Sequence, residues 1–214
     1  SIGNSAFRYC EKLSAITVSP DNQVYSSTDG VLFNKSGNTI VMFPEKKSDS
    51  YTIPSSVEVI GSGAFFRSNI TQINISNSVK TIEQDAFSLC NWLKAIKLPA
   101  SISFIGSYAF SDCANTTRID VNRPVPVDLS NSQNVFRGID KNECTLNVPF
   151  GCASLYKSAN QWKDFLKIIE ASNGFRVDSV EKHLEAKEGS TANISLNSNV
   201  RWTATSDQSW LSVS

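Results

Sequence analysis

The chain has 214 residues, 40% of them apolar and 19% charged, a composition that excludes disordered and fibrous classes and leaves room for one large domain or a medium domain plus a smaller piece. Its 20 basic and 20 acidic side chains cancel, so there is no electrostatic footprint for nucleic acid and no polybasic stripe for an anionic membrane. No run approaches the roughly 18 consecutive apolar residues of a membrane span, and Ser1-Ile2-Gly3-Asn4 lacks the charged start and apolar stretch of an export signal.

The first element is a unit that returns throughout the chain: Ile2-Gly3, Ala6-Phe7, Cys10, Leu13, Ile16 and Val18. After it the spacing swells, and Asp29-Gly30-Val31-Leu32-Phe33 and Thr39-Ile40-Val41-Met42-Phe43-Pro44, joined by Lys35-Ser36-Gly37-Asn38, read as a β-hairpin inserted into an elaborated repeat. Tyr51-Thr52-Ile53-Pro54 resumes the register. The next copy is Ile60-Gly61, Ala64-Phe65, Ile70, Ile73 and Ile75. A further copy has Ile82, Ala86-Phe87, Cys90, Leu93, Ile96 and Leu98-Pro99, and another has Ile105-Gly106, Ala109-Phe110, Cys113, Thr116, Ile119 and Val121. Phe65, Phe87 and Phe110 stand 22 and 23 residues apart, a period at which each unit supplies a strand and a turn and cannot bury its apolar face without a neighbour.

Strand alternation then assigns directions. Ile96 and Leu98 point inward, beside Ile73, Ile75, Ile119 and Val121 on parallel strands. The outward set is Ala15 and Thr17, Gln72 and Asn74, Ala95 and Lys97, Arg118 and Asp120, and Thr145 and Asn147. Lys97 and Asp120 should stand side by side and form one weak salt bridge. The Ala-Phe pairs belong on the returning arc, a small residue allowing close approach and the ring filling space between coils. Cys10, Cys90 and Cys113 share one repeat position and read as buried packing thiols rather than a redox or metal ladder. Cys144 and Cys152 are near enough for a small disulfide loop, but buried thiols are the favoured reading; the five cysteines lack zinc-site spacing.

Cys144-Thr145-Leu146-Asn147-Val148-Pro149 is a last strand. Leu155, Tyr156, Trp162, Phe165, Leu166 and Ile169 fall at helical spacing, predicting one or two short amphipathic helices that close the stack, with Trp162 in the cap core. Asn173-Gly174 marks a boundary. Beyond it, Thr191 to Leu196, Val200 to Thr205 and Trp210 to Val213 alternate as short strands of a sandwich, too few residues for a complete one. Both ends of the chain read as excision points in a longer protein.

Together the I-G-x-x-A-F-x-x-C-x-x-L-x-x-I-x-L-P unit, the Tyr25-Ser26-Ser27-x-Asp29-Gly30-Val31-Leu32-Phe33 insertion and the Val148-Pro149…Tyr156…Trp162-x-x-Phe165 terminus resemble the BspA-type leucine-rich repeats of bacterial surface proteins. The resemblance covers residues 1 to 170. Ser68 in place of the repeat Cys, Glu83 in place of Gly and Thr116 in place of the strand Leu depart from the pattern. The segment Ser198-Asn199-x-x-Trp202-Thr203…Ser209-Trp210-Leu211-Ser212-Val213 resembles the first half of a BACON module. The expected organisation is a repeat solenoid with a C-terminal cap over residues 1–171 and a truncated β-sandwich over 172–214. The resemblance implies an extracellular or cell-surface protein that adheres to host extracellular proteins or mucin-like glycans.

No motif supports chemistry. His183, the single histidine, has no nucleophile motif to serve and reads as an exposed side chain. Gly-x-Ser-x-Gly, HExxH, P-loop and GxGxxG patterns are missing, and no cofactor or metal is expected. The readings rank as a binding module, then an architectural spacer, then an enzyme. For a ligand, exposed rings outrank charged side chains, because they give large contact area at low entropic cost. Where they are exposed, Trp92, Tyr108 and Phe66 on the turn side therefore come ahead of Gln72, Asn74, Lys97, Arg118 and Asp120 on the sheet; packing between coils is the equal alternative for each ring.

Overall fold

A computed structural model describes residues 2, 6–7, 9–47 and 49–171. It opens with a three-stranded meander: β1 (Tyr25–Thr28), β2 (Val31–Asn34) and β3 (Thr39–Met42). Asp29 and Gly30, with φ of 49° and 73°, make the tight turn between β1 and β2, the geometry that two-residue hairpins favour. β2 and β3 are the expected hairpin. β3 also serves the repeats, since its other edge pairs in parallel with β5 (Val59–Ile60), β5 with β7 (Thr81–Ile82) and β7 with β9 (Phe104–Ile105).

The opposite wall is built from β4 (Ser50–Thr52) and β6 (Gln72–Asn74), then β8 (Ala95–Leu98), β10 (Arg118–Val121), β11 (Thr145–Val148) and β12 (Lys167–Glu170). All pairings here are parallel and in register, Ile96 opposite Ile119 and Leu98 opposite Val121. Three repeats, β5 with β6, β7 with β8 and β9 with β10, thus each contribute a strand to one wall and a two-residue strand to the other, with an arc between them. The Ile-Gly pair makes the short strand. A Cβ on Gly61 would lie 2.7 Å from the Ile40 carbonyl oxygen of the coil before, so a side chain there collides with backbone. Glu83 stands at the same repeat position, and its carboxylate accepts the Ser62 N–H at 2.8 Å.

The arc is stitched to its neighbours as closely as the strands are. Gly63, Phe65 and Arg67 donate N–H bonds to the carbonyls of Gln84, Ala86 and Ser88, and Asp85, Phe87 and Leu89 repeat the pattern toward Ser107, Ala109 and Ser111. Aiming alternate amides along the stack calls for residues of positive φ on both sides of the Ala-Phe pair: Gly63, Asp85, Tyr108 and Asn134 before it, and Arg67, Leu89, Asp112 and Gly138 after it. The phenylalanines are fully buried and stack, with centroids 4.8 Å apart for Phe43–Phe65 and Phe65–Phe87 and 5.2 Å for Phe87–Phe110.

The departures from the repeat are absorbed locally. Thr116 donates its hydroxyl to the Leu93 carbonyl at 2.7 Å, and the Ser68 hydroxyl sits 3.4 Å from the Cys90 sulfur. The cap differs from expectation. A helix, α1 (Ala153–Ser158), and a 3-10 turn at Trp162–Asp164 are present, but 167–170 form strand β12 rather than helix. Leu166 and Ile169 are consequently 72% and 52% exposed. The open edge of β11 offers a full ladder to Lys167–Glu170, which outweighs a helical spacing carried by so few residues. Trp162 is buried as expected, its indole N–H donating to the Val127 carbonyl at 2.9 Å. Gln161 clamps the last coil, accepting the Val135 N–H and donating to the carbonyls of Leu129 and Ser132.

The first repeat forms no strand among the described residues, and Leu13, Ile16 and Val18 are half-buried. Cys10 is exposed, a correction to its expected burial. In later coils this thiol donates to a phenylalanine carbonyl of the coil before, a bond that Cys10 does not make among the described residues. The solenoid unit runs Ser1–Glu170; the BACON-like segment expected over 172–214, His183 included, lies outside the described residues.

Ile96 is fully buried between Ile119 and the coil below. Ile96→Ala should lower unfolding free energy by about 2–5 kcal/mol through lost transfer energy and the cavity left behind, measured by urea denaturation; an unchanged midpoint would remove the register.

Candidate ligand-facing surfaces

Register turns the outer side of the second wall into two rows. One row runs Ala95, Arg118, Thr145 and Lys167; the other runs Lys97, Asp120, Asn147 and Ile169. On β6, Gln72 and Asn74 are exposed on either side of buried Ile73. Lys97 does stand opposite Asp120, yet the salt bridge goes elsewhere: Asp120 meets Arg118 Nε at 3.2 Å on its own strand and accepts from Asn147 Nδ2 at 2.6 Å. With both oxygens engaged, Asp120 is neutralised within the face and Lys97 keeps its charge free for solvent. Lys167 is matched by Glu143 at 2.6 Å.

The three rings expected on the turn side are not brought together. Of the two placements the sequence leaves open for Phe66, exposed or packed between coils, it takes the buried one, its ring edge-on to Tyr9 at 6.3 Å; Ser88 and Ser111, which also follow an Ala-Phe pair, are buried too. Tyr108 is half-buried; it opens the arc at a positive-φ position, and its hydroxyl accepts a bond from Asn134 Nδ2 at 3.4 Å. Trp92 closes the arc at the foot of β8 and is 58% exposed. By repeat register Tyr108 corresponds to Asp85 in the coil of Trp92, so the two rings stand at opposite ends of the arc. Trp92 borders the sheet face instead. Its exposure has a cause that spacing carries: Phe87 to Leu93 takes six residues, whereas Phe65 to Ile70 takes five, so the coil below has no counterpart for Trp92 to pack on.

Two concavities flank this geometry. One, of about 160 Å³, is lined by Phe7, Met42, Gly61, Phe66 and Glu83; the other, of about 420 Å³, lies along the cap between Gln133, Arg137, Lys141 and Asp164. Among the described residues no group of three or more His, Cys, Asp or Glu could hold a metal ion, and no helix is long and apolar enough to cross a membrane. All five thiols are free. Cys90 and Cys113 donate to the Phe65 and Phe87 carbonyls at 3.0 and 3.1 Å. Burial pushes the Cys90 thiol up to about 12, against the opposing hydrogen bond from Ser68, and raises Cys113 likewise. Burial and the Asp140 carboxylate bring Cys144 to about 11. Thiols held neutral in this way are packing groups, not nucleophiles.

The sequence matches the family model described as the BspA type leucine-rich repeat region, in six copies over residues 1–49 and 41–167. No curated protein matches it. Among solved structures it is similar to a leucine-rich repeat protein of Eubacterium ventriosum, with a TM-score of 0.56 at 25% identity over 70% of this chain and 38% of that one. It also resembles the pneumococcal vaccine antigen PcpA (TM-score 0.47, 18% identity, 74% of this chain and 50% of that one). A leucine-rich cell surface protein of Faecalibacterium prausnitzii gives a TM-score of 0.46 at 21% identity over 78% of this chain and 44% of that one. The chain therefore spans half or less of the length of each of these proteins.

Thiol burial sets a reactivity order. Iodoacetamide at about pH 8 should label Cys10 and half-buried Cys152 in the folded protein and reach Cys90 and Cys113 only on unfolding. A thiol with a folded pKa above its unfolded value of about 8.5 adds stability that is complete below that pH and is lost as pH rises through the folded value. The urea midpoint should therefore fall from about pH 9 upward, and fall less in Cys90→Ser, a change that Ser68 already represents at the same repeat position. Equal slopes in the two proteins would show that Cys90 is not held neutral by the fold.

Proposed function

Since the chain belongs to the BspA-type leucine-rich repeat family, we propose that it is a non-catalytic binding module of an extracellular or cell-surface protein, engaging a host extracellular protein or a mucin-like glycan through its open sheet face. The placement outside the cell follows the bacterial surface proteins whose repeats it resembles. The observation that carries the reading is the pair of in-register rows on β8, β10 and β11, continued by Gln72 and Asn74. Amide, hydroxyl and charged side chains there stand on laddered strands, β10 and β11 paired on both sides and β8 and β6 on one, so their spacing is preset and little ordering entropy is lost on contact. Trp92 joins this surface as its one large exposed ring; Tyr108 and Phe66 fall outside it.

A spacer is the second reading, favoured by the unbroken stack of rings from Phe43 to Trp162, which makes a continuous core that suits holding another domain at a distance. Residues 172–214 are assigned to the start of a BACON-like module on the motif around Trp202 and Trp210.

Arrays of matrix proteins and glycans probed with the full chain separate the two readings. Binding is expected, and for the ligand found, calorimetry should show Trp92→Ala and Lys97→Ala each weakening it more than Tyr108→Ala does. A larger loss in Tyr108→Ala would move the site to the turns, and silence across both arrays would leave the spacer. A hydrolase and transferase panel should give no turnover above buffer.

A further inference from the structure

Resting on the sheet-face reading above, we propose that the seam between β6 and β8 is a subsite for an acidic saccharide, one that carries a carboxylate or sulfate on its ring. On this wall β4 pairs with β6, and β8, β10, β11 and β12 form a continuous ladder; β6 lies beside β8 but shares no ladder with it. The missing arc residue before Ile70 shifts one coil against the next and accounts for both features of the place, the interrupted ladder and the unsupported Trp92. Facing N–H and C=O groups left out of a ladder need other partners, water or a ligand.

The side chains around the seam suit one class of ligand. Ala95, half-buried, is the smallest outward residue of the face, and it stands opposite Arg118 on one side and, by repeat register, beside Gln72 on the other. It leaves a notch whose rim carries Lys97, Asn74 and, one residue before the strand, Lys94. Among the described residues neither Lys94 nor Lys97 meets a carboxylate, whereas Asp120 is satisfied by Arg118 and Asn147. The seam therefore carries two lysines outside the ion pairs of the described residues, which favours an anion.

A sugar is favoured over an acidic peptide by the rest of the rim. Gln72 and Asn74 offer carboxamides, which both donate to and accept from hydroxyls. Trp92 offers a flat exposed indole to a ring's C–H face. Among the described residues the outward side chains around the notch, Gln72, Asn74, Lys94, Lys97 and Arg118, are polar, whereas peptides are anchored by apolar pockets.

The test uses the full chain and paired probes: sialylated mucin against the same mucin after desialylation, and chondroitin sulfate against desulfated chondroitin. The acidic member of at least one pair should bind about tenfold or more tightly and lose affinity with added salt. Lys97→Gln, Trp92→Ala and Ala95→Leu, the last filling the notch, should each remove about tenfold or more with little change in melting temperature, since Lys97 and Trp92 are exposed and half-buried Ala95 lies on the outward side of β8. Equal binding of acidic and neutral members, or acidic binding indifferent to Lys97→Gln and Ala95→Leu, overturns the subsite. An acidic peptide that binds where no saccharide does overturns it too. In those cases the sheet-face reading stands if Lys97→Ala still weakens the ligand that is found; if no ligand is sensitive to any residue of the face, both fall.

Discussion

The structure depends on one column of rings. Phe43, Phe65, Phe87, Phe110 and Phe136 stack face to face, and Trp162 and Phe165 close the column with tilted and edge-on contacts at 4.8 and 5.3 Å. Both faces of an interior ring are covered by the rings of neighbouring coils, so no single repeat can bury its own phenylalanine. The centroid spacing of the regular part, 4.8 to 5.2 Å, is close to the roughly 4.8 Å between neighbouring strands. Ring stacking and backbone ladders therefore demand the same pitch and reinforce each other. Where the interval lengthens to 26 residues, between Phe110 and Phe136, the rings open to 6.1 Å.

A shared pitch also explains why the arcs can be irregular in sequence and regular in backbone. The arc amides bond to the next coil whatever side chains they carry, and the left-handed residues that aim them include Arg67, Leu89 and Tyr108 as well as Gly63 and Gly138. Left-handed backbone at a non-glycine residue costs on the order of 1 kcal/mol, which an inter-coil hydrogen bond of about 1 kcal/mol can offset. Glycine remains necessary where backbone closes in: a Cβ on Gly138 would lie 2.9 Å from the Asp112 Cα.

Much of this was legible. The interval of 22 to 23 residues, the inward Ile-x-Leu pairs, the Ala-Phe arcs and the buried Trp162 all follow from residues whose environment repeats coil after coil. What was not legible depends on a single place. The first wall is continued by two-residue strands such as Thr81–Ile82, too short to display alternation. Phe66 follows Phe65, and nothing in the pair tells which ring faces the stack. Strand β12 carries apolar residues at helical spacing, yet the β11 edge decides its conformation. For the candidate site, the outward rows were readable from alternation alone, while the partner of Asp120 was not, because Arg118 on its own strand competes with Lys97 opposite it. The exposure of Trp92 was written in the sequence, as the difference between five and six residues in adjacent arcs, and required the copies to be aligned residue by residue.

The same division separates stability from recognition. Inward positions are held by neighbours on both sides, and truncating one costs about 2–5 kcal/mol. Outward positions on the sheet touch mainly water and one another, and their ion pairs contribute about 0–1 kcal/mol. A solenoid of this kind can therefore exchange Lys97, Asn74 or Gln72 with little effect on folding, while each exchange alters the surface offered to a ligand. The seam at β6 and β8 extends the principle to the backbone: where the arc is one residue shorter the ring column runs on unbroken while no ladder joins the two strands, so a place that the core tolerates brings lysine charge and an exposed ring to the edges of two sheets.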